Sequence, residues 1–144
     1  MTKPRVLFLC TGNFCRSQMA EGWSRSFRAG ALESFSAGIE IHGLNPRAVQ
    51  VMAECGVDIS CHRSKGLGEF AGEAFDCVVT VCGHAHETCP SFRGGTKTIH
   101  APFDDPPLLA ESADNEEEVL GHYRRVRDEI REFVEGLPGR LGKG

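Results

Sequence analysis

The chain has 144 residues, 40% of them hydrophobic and 25% charged, which is the composition of an ordinary globular domain. Its formal net charge is −4 and its basic residues are scattered, so nothing favours binding to nucleic acid. No apolar run is long enough to cross a membrane, and the N-terminus lacks the pattern of a secretory signal. We therefore expect a single domain over residues 1–144, in the cytoplasm and away from any membrane.

The first half of the chain alternates between strand and helix patterns. Residues 5–10 form an apolar run typical of a buried parallel strand, and a helical pattern follows to about residue 28. A second strand is predicted over residues 33–36, before a turn at Ala37-Gly38. Asn45 before Pro46 then predicts the N-cap and the first position of another helix.

The second half continues this alternation. Its next predicted elements are a short amphipathic segment over 67–74, strands over 77–82 and 96–100, and a loop over 102–107. The last helix is predicted to start near Asn115, and the glycine-rich residues 136–144 are expected to form a frayed tail. Together these elements predict an α/β fold, with a four-stranded parallel sheet, helices on both faces and flavodoxin-like layering.

The turn between the first strand and the first helix has an unusual sequence. Residues 10–17 read Cys-Thr-Gly-Asn-Phe-Cys-Arg-Ser. Backbone N–H groups in such a turn can converge on a tetrahedral oxyanion, and the planar guanidinium of Arg16 can hold two of its oxygens. The candidate oxyanion-binding residues are therefore Thr11, Gly12, Asn13, Phe14, Cys15 and Arg16.

The same positive surroundings favour the thiolate of Cys10, the nucleophilic form of the side chain. A lone cysteine after a strand is ordinarily a small buried hydrophobe. A cysteine followed by Arg16 and Ser17 at a strand-to-helix turn is much rarer. The pattern therefore favours an anion-binding nucleophile.

The segment from Cys82 to Cys89 contains a second group of reactive side chains. Cys82 ends a predicted strand, as Cys10 does, and ligands of parallel sheets bind beyond the carboxyl ends of the strands, so we expect these two thiols to be neighbours. Three interpretations compete for the segment. Cys82, His84, His86 and Cys89 could chelate zinc, or the two cysteines could be unrelated buried residues. The favoured interpretation is a redox pair, in which Cys89 passes an oxidation at Cys82 outward to a reductant.

The cysteines outside these two segments have simpler interpretations. The chain has seven cysteines, and a cytosolic protein keeps its thiols reduced, so a disulfide scaffold does not explain them. Cys55 and Cys77 are expected to be packing residues. Cys61 lies in a predicted loop, and nothing marks it as catalytic.

A carboxylate follows the last predicted strand, in the loop that contains Asp104 and Asp105. On its own this sequence is an ordinary aspartate-proline turn. Opposite an anion-binding cysteine, however, a carboxylic acid can protonate an oxygen that leaves a thiol adduct. Asp105, directly before Pro106, is the preferred candidate.

With these residues placed, the chain resembles the thioredoxin-coupled arsenate reductases, which are built on the low-molecular-weight tyrosine phosphatase fold. The resemblance covers about residues 5–133 and is carried by the sequences at 10–13, 15–23, 36–40, 42–46, 79–83, 89–90, 103–106 and 125–130. Gln18 stands where the phosphatase branch has proline, and it matches the reductase branch. The pair Cys82 and Cys89 also favours the reductase, because a hydrolytic phosphatase needs no redox relay.

The resemblance implies roles for individual residues. Cys10 would attack arsenate, Ser17 would hydrogen-bond its thiolate, and Asp105 would protonate the departing oxygen. Cys82 would then attack Cys10 and release arsenite, and Cys89 would attack Cys82. Thioredoxin would reduce the resulting Cys82–Cys89 disulfide. Two thiols supply both electrons, so no cofactor is expected, and the fold implies a monomer.

Two positions depart from the family pattern. Phe14 stands where relatives commonly have serine. Some relatives bind potassium through residues matching Asn13, Glu21 and Ser36 with an aspartate at the position of Lys65. The Lys65 ammonium would pair with Glu21 in place of the ion. We therefore expect no metal site and no strong potassium dependence.

Two alternatives remain open at this point. A low-molecular-weight phosphatase acting on phosphotyrosine or small phosphoesters would use the same loop, and would tolerate the loss of Cys82 and Cys89. A non-catalytic zinc or thiol-redox sensor would be built around residues 82–89 and would bind stoichiometric zinc.

Overall fold

The computed structural model describes residues 3–70, 72–83, 85 and 96–141. Within these residues one parallel sheet has the strand order β2-β1-β3-β4, formed by β1 (Arg5–Cys10), β2 (Glu33–Gly38), β3 (Cys77–Thr80) and β4 (Lys97–His100). The helices of this part are α1 (Arg16–Phe27), α2 (Pro46–Ala53), α3 (Pro106–Ala110) and α4 (Glu116–Arg140), with a 3₁₀ turn over Leu67–Phe70. The predicted fold class, a four-stranded parallel sheet with helices, is confirmed.

The centre of the sheet is covered on both faces. Successive side chains of a strand point to opposite faces, and Leu7, Phe8, Val78 and Val79 are all fully buried. Each such side chain contributes about 1.5–3 kcal/mol to the stability of the fold when it is buried.

Among the described residues, no helix has both the length and the apolar character needed to cross a membrane.

Side-chain caps fix the starts of two helices as the sequence predicts. Asn45 accepts a hydrogen bond from the N–H of Arg47 at 2.8 Å, and Pro46 opens α2. Asn115 accepts one from the N–H of Glu118 at 2.8 Å at the start of α4. Both caps satisfy N–H groups that have no partner within the helix.

Several predicted boundaries were wrong. β2 continues to Gly38 because pairing with β1 extends to Cys10, which overrides the predicted turn at 37–38. β3 ends at Thr80, so Cys82 follows the strand instead of ending it. The amphipathic segment predicted over 67–74 is a 3₁₀ turn over Leu67–Phe70.

Two further corrections concern the C-terminal third. The loop predicted over 102–107 ends at Asp105, because Pro106 and Pro107 open α3, where proline is well tolerated. The frayed tail predicted over 136–144 is helical up to Arg140. Leu137 is fully buried there, so tertiary packing outweighs the low helix propensity of the neighbouring glycines.

Candidate active site

The site lies where the strand order changes direction. The chain passes from β1 to β2 on one side and then to β3 on the other, so a crevice opens at the carboxyl ends of β1 and β3. Cys10 ends β1, and the N–H of Val81 donates to the Leu9 carbonyl at 2.9 Å. This bond brings the next residue, Cys82, to the same crevice, where its Sγ lies 3.2 Å from Thr11 Oγ1.

We call residues 10–16 the anion loop and residues 39–45 the collar segment. Backbone N–H groups of the collar segment hold the loop carbonyls, at 3.1 Å for Ile39 on Cys10, 2.7 Å for Glu40 on Thr11, 3.0 Å for His42 on Gly12 and 3.0 Å for Asn45 on Phe14. The carbonyl and N–H of a trans peptide point in opposite directions. Because the collar segment holds the carbonyls on its own side, the loop N–H groups on the other side are left for an anion.

The Cys10 thiol is buried and lies 2.9 Å from the hydroxyl of Ser17. That hydroxyl oxygen accepts a hydrogen bond from Asn13 Nδ2, also at 2.9 Å. Its own proton is therefore free to point at Cys10 and to stabilise a thiolate. The structure thus places Ser17 within hydrogen-bonding distance of Cys10, the contact that the resemblance implies.

Asn13 is held in place from outside the loop. Its φ of +48° is left-handed, a conformation that asparagine tolerates better than most residues. Its side-chain oxygen accepts from the N–H of Lys65 at 2.7 Å and from Gln18 Nε2 at 2.9 Å. His62 Nδ1 lies 3.0 Å from the side-chain oxygen of Gln18, Oε1, and burial lowers the pKa of His62. Sequence reasoning missed this chain of amides, although its partners flank the loop motif and the Lys65 position.

Arg16 is oriented by the loop that follows β4. Its Nη1 donates to the Phe103 carbonyl at 2.9 Å, and its Nη2 lies 3.5 Å from Asp105 Oδ1. Asp104 instead pairs with Arg125 at 2.8 Å. Of the two aspartates, therefore, Asp105 is the one beside the anion loop, and its side chain is partly exposed.

The Cys82 thiol is 95% buried and receives two contacts. Besides the Thr11 hydroxyl, the N–H of Ala85 donates to its Sγ at 3.4 Å. Thr11 was predicted only as an oxyanion-binding residue, and its side chain also links the anion loop to the second thiol. His84, His86 and Cys89 lie outside the described residues, so the redox pair and the zinc set both stay predictions.

The remaining loop positions are packed into the core. Cys15 is buried, and burial followed by the nearby Cys10 raises the pKa of its thiol, so Cys15 is protonated at neutral pH. Phe14 is partly buried against the core. Cys77 in β3 is fully buried, which raises its pKa to about 11, as expected for a packing residue.

The Lys65 ammonium lies beside Glu21, as the sequence analysis expects. Its Nζ lies 3.7 Å from Glu21 Oε1, 3.5 Å from Ser36 Oγ and 3.0 Å from the Arg63 carbonyl. Burial lowers the pKa of Lys65, and the Glu21 carboxylate opposes that effect. In the part of the chain that the structure describes, no group of three His, Cys, Asp or Glu side chains is arranged to hold a metal ion.

Comparison with known proteins agrees with this geometry. The family model for low molecular weight phosphotyrosine protein phosphatases matches residues 5–144. The chain therefore belongs to this family.

Individual relatives are more specific. An arsenate reductase from Halalkalibacterium halodurans is 46% identical over 130 residues, 90% of this chain and 91% of that protein. A solved arsenate reductase in the phosphate binding state is similar with a TM-score of 0.76 and 30% identity, over 97% of this chain and 99% of that one. A thioredoxin-dependent arsenate reductase from Corynebacterium glutamicum has a TM-score of 0.68 and 26% identity, over 98% of this chain and 64% of that one.

Proposed function

We propose that this protein reduces arsenate to arsenite and is regenerated by thioredoxin. One observation carries the proposal: a second buried thiol, Cys82, contacts the anion loop at Thr11, one residue from Cys10. Hydrolysis of a phosphoester needs one nucleophilic thiol. Reduction of arsenic(V) to arsenic(III) needs two electrons, which two neighbouring thiols supply when they form a disulfide.

Arsenate first binds in the anion loop. It is a tetrahedral oxyanion like phosphate, so the loop N–H groups and the Arg16 guanidinium hold its oxygens. The Cys10 thiolate, which accepts a hydrogen bond from Ser17, attacks arsenic and forms a sulfur–arsenic bond. One arsenic–oxygen bond breaks, and Asp105 protonates the departing oxygen, which leaves as water.

Reduction follows in the second step. The Cys82 thiolate attacks Cys10 Sγ and forms a sulfur–sulfur bond, while the sulfur–arsenic bond breaks. The electron pair of the broken bond stays on arsenic, which leaves as arsenite. The two thiols are thereby oxidised to a Cys10–Cys82 disulfide.

Regeneration completes the cycle. Cys89 attacks Cys82 and releases Cys10 as a thiolate, and the dithiol of thioredoxin then reduces the Cys82–Cys89 disulfide. The similarity to a thioredoxin-dependent arsenate reductase supports this choice of reductant. We place the reaction in the cytoplasm, where thiols are kept reduced, and propose that the protein acts as a monomer.

A phosphatase remains the second candidate. The family description names phosphotyrosine protein phosphatases, and the anion loop with Arg16 and Asp105 suits an aryl phosphate as well as arsenate. Because the loop is shared, slow hydrolysis of aryl phosphates is expected from a reductase too. The decisive property is whether Cys82 is required.

The proposal is tested by two assays run in parallel on the same protein. We expect the wild type to sustain arsenate-dependent NADPH oxidation with thioredoxin and thioredoxin reductase. Cys10→Ser should lose this activity and any aryl phosphate hydrolysis, whereas Cys82→Ser should lose only the reduction. Cys61→Ser, which removes an exposed thiol, is the matched control and should behave as the wild type. Rapid aryl phosphate hydrolysis without arsenate-dependent oxidation would instead identify a phosphatase.

A further inference from the structure

The imidazole of His42 lies against the anion loop at Gly12. A Cβ added at Gly12 would fall 2.3 Å from His42 Nδ1 and 2.6 Å from its Cγ, closer than real atoms approach. The ring therefore fills the space beside the Gly12 Cα that any larger residue would need. Gly12 has no side chain of its own to restrict its backbone, so the ring of His42 does so from outside.

Glu40 holds this ring in place. Its Oε1 lies 2.8 Å from His42 Nε2, and both side chains are about half exposed. The same two residues hold the loop through their backbones, because the N–H of Glu40 bonds the Thr11 carbonyl and the N–H of His42 bonds the Gly12 carbonyl. Ser64 Oγ donates to the Gly12 carbonyl as well, at 3.0 Å. Two peptide groups of the loop are thus held by the backbone N–H groups of the same two residues whose side chains form the pair.

We propose that the Glu40–His42 pair sets the oxyanion affinity of the anion loop, with His42 as a positioning residue. The ring keeps the peptides on either side of Gly12 turned so that their N–H groups face the anion before it arrives. Binding then does not have to order the loop, and an anion gains the affinity that this ordering would otherwise cost. The inference rests on the proposed function only in that the loop binds oxyanions.

The same pair of exposed side chains elsewhere on the surface would have no such effect. Isolated pairs of this kind contribute between nothing and about 1 kcal/mol to stability, and many contribute nothing measurable. The distinguishing feature here is the close packing of the His42 ring against Gly12, which couples the Glu40–His42 pair to the anion loop. Removal of the ring should therefore change anion affinity while leaving the unfolding temperature nearly unchanged.

The test measures how well inorganic phosphate protects Cys10 from iodoacetamide, followed at the Cys10 peptide by mass spectrometry. For His42→Ala we expect the phosphate concentration that gives half protection to rise about fivefold. This rise corresponds to a small part of the free energy with which the loop binds phosphate. Glu40→Ala should show a smaller rise in the same direction. Glu40→Gln should stay near the wild type, because its amide oxygen still accepts from the ring. His122→Ala, the same change on α4, is the control and should leave protection unchanged.

A double-mutant cycle isolates the contact itself. Gly12→Ala places a methyl group where the ring lies, so it should weaken phosphate protection strongly in the wild type. The effect should be smaller in the His42→Ala background, which removes the two nearest atoms and keeps only His42 Cβ, at 2.9 Å. Equal effects in both backgrounds, or wild-type protection in His42→Ala, would overturn the proposal. Because phosphate protection requires no arsenate reduction, a protein that binds phosphate as described but does not reduce arsenate would contradict the proposed function alone.

Discussion

Hydrogen bonds orient the hydroxyl group of Ser17 toward the nucleophile. It accepts from Asn13 and lies 2.9 Å from the Cys10 sulfur, so its proton is available to the thiolate. Asn13 is itself fixed by Lys65 and Gln18, which leaves Ser17 little choice of partner. At the scale of single residues, the nucleophile therefore depends on a chain of amides and hydroxyls that starts outside the loop.

For Ser17→Ala we predict slower alkylation of Cys10 by iodoacetamide at neutral pH, by about tenfold, because a hydrogen bond to a charged group is worth about 1.5–3 kcal/mol. Ser24→Ala is the control. It removes a buried hydroxyl from the same helix, but that hydroxyl bonds Ser34 and not Cys10. An alkylation rate equal to that of the wild type would show that Ser17 does not stabilise the thiolate.

Lys65 carries a second prediction at this scale. Its ammonium lies among the Glu21, Ser36 and Arg63 oxygens, where related reductases are expected to bind potassium. We predict equal rates of arsenate reduction in potassium and in sodium. Lys65→Asp replaces the ammonium by a carboxylate, so this variant should gain a preference for potassium. A large potassium-specific increase in the wild type would contradict this role for Lys65.

At the scale of elements, the end of β2 shapes the anion loop. Gly38 pairs with Cys10, and the collar segment begins directly after it. A Cβ at Gly38 would lie 2.4 Å from the Glu40 carbonyl oxygen and 2.6 Å from the Asn13 nitrogen. Both of these are backbone atoms, which cannot move aside as a flexible side chain can.

For Gly38→Ala we therefore predict a loss of stability of about 1–3 kcal/mol, as for overpacked sites, together with weaker phosphate protection of Cys10. Gly30→Ala adds the same methyl group where no atom lies within 4 Å and is the matched control. Urea unfolding gives the first quantity and alkylation the second. Normal phosphate protection in Gly38→Ala would show that the loop does not depend on this approach.

How much the sequence predicted depends on how local each signal is. The apolar run of β1, the Asn45 cap and the octet at residues 10–17 are local patterns, and the strand, the cap and the strand-to-helix turn that they predict are present in the structure. The collar contacts join residues about thirty positions apart through backbone groups, which leave no mark on side-chain type. The Ala37-Gly38 signal is genuine, but it marks a close approach of two backbones and not a turn.

At the scale of the whole molecule, the strand order brings the two thiols together. β1 lies between β2 and β3, so the residues that follow β1 and β3 meet at one crevice. The sequence predicted this meeting from parallel topology. It could not predict that α4 continues through Gly136 and Pro138, because that depends on the core that the last turns cover.

This packing gives a stability prediction. Leu137 is fully buried, so Leu137→Ala should lower the free energy of unfolding by about 2–5 kcal/mol, the usual cost of such a truncation. Leu108→Ala makes the same change at a residue that is 61% exposed and should have little effect in the same urea titration. Equal costs at the two positions would mean that the end of α4 does not pack as described.

The three-cysteine relay is the central claim, and Cys89→Ser tests it most directly. The measurement is arsenate-dependent NADPH oxidation with thioredoxin and thioredoxin reductase, together with the arsenite released by each protein. We predict sustained turnover by the wild type, whereas Cys89→Ser should stop after a single turnover and accumulate a Cys10–Cys82 disulfide. Repeated turnover of Cys89→Ser with thioredoxin would contradict the relay.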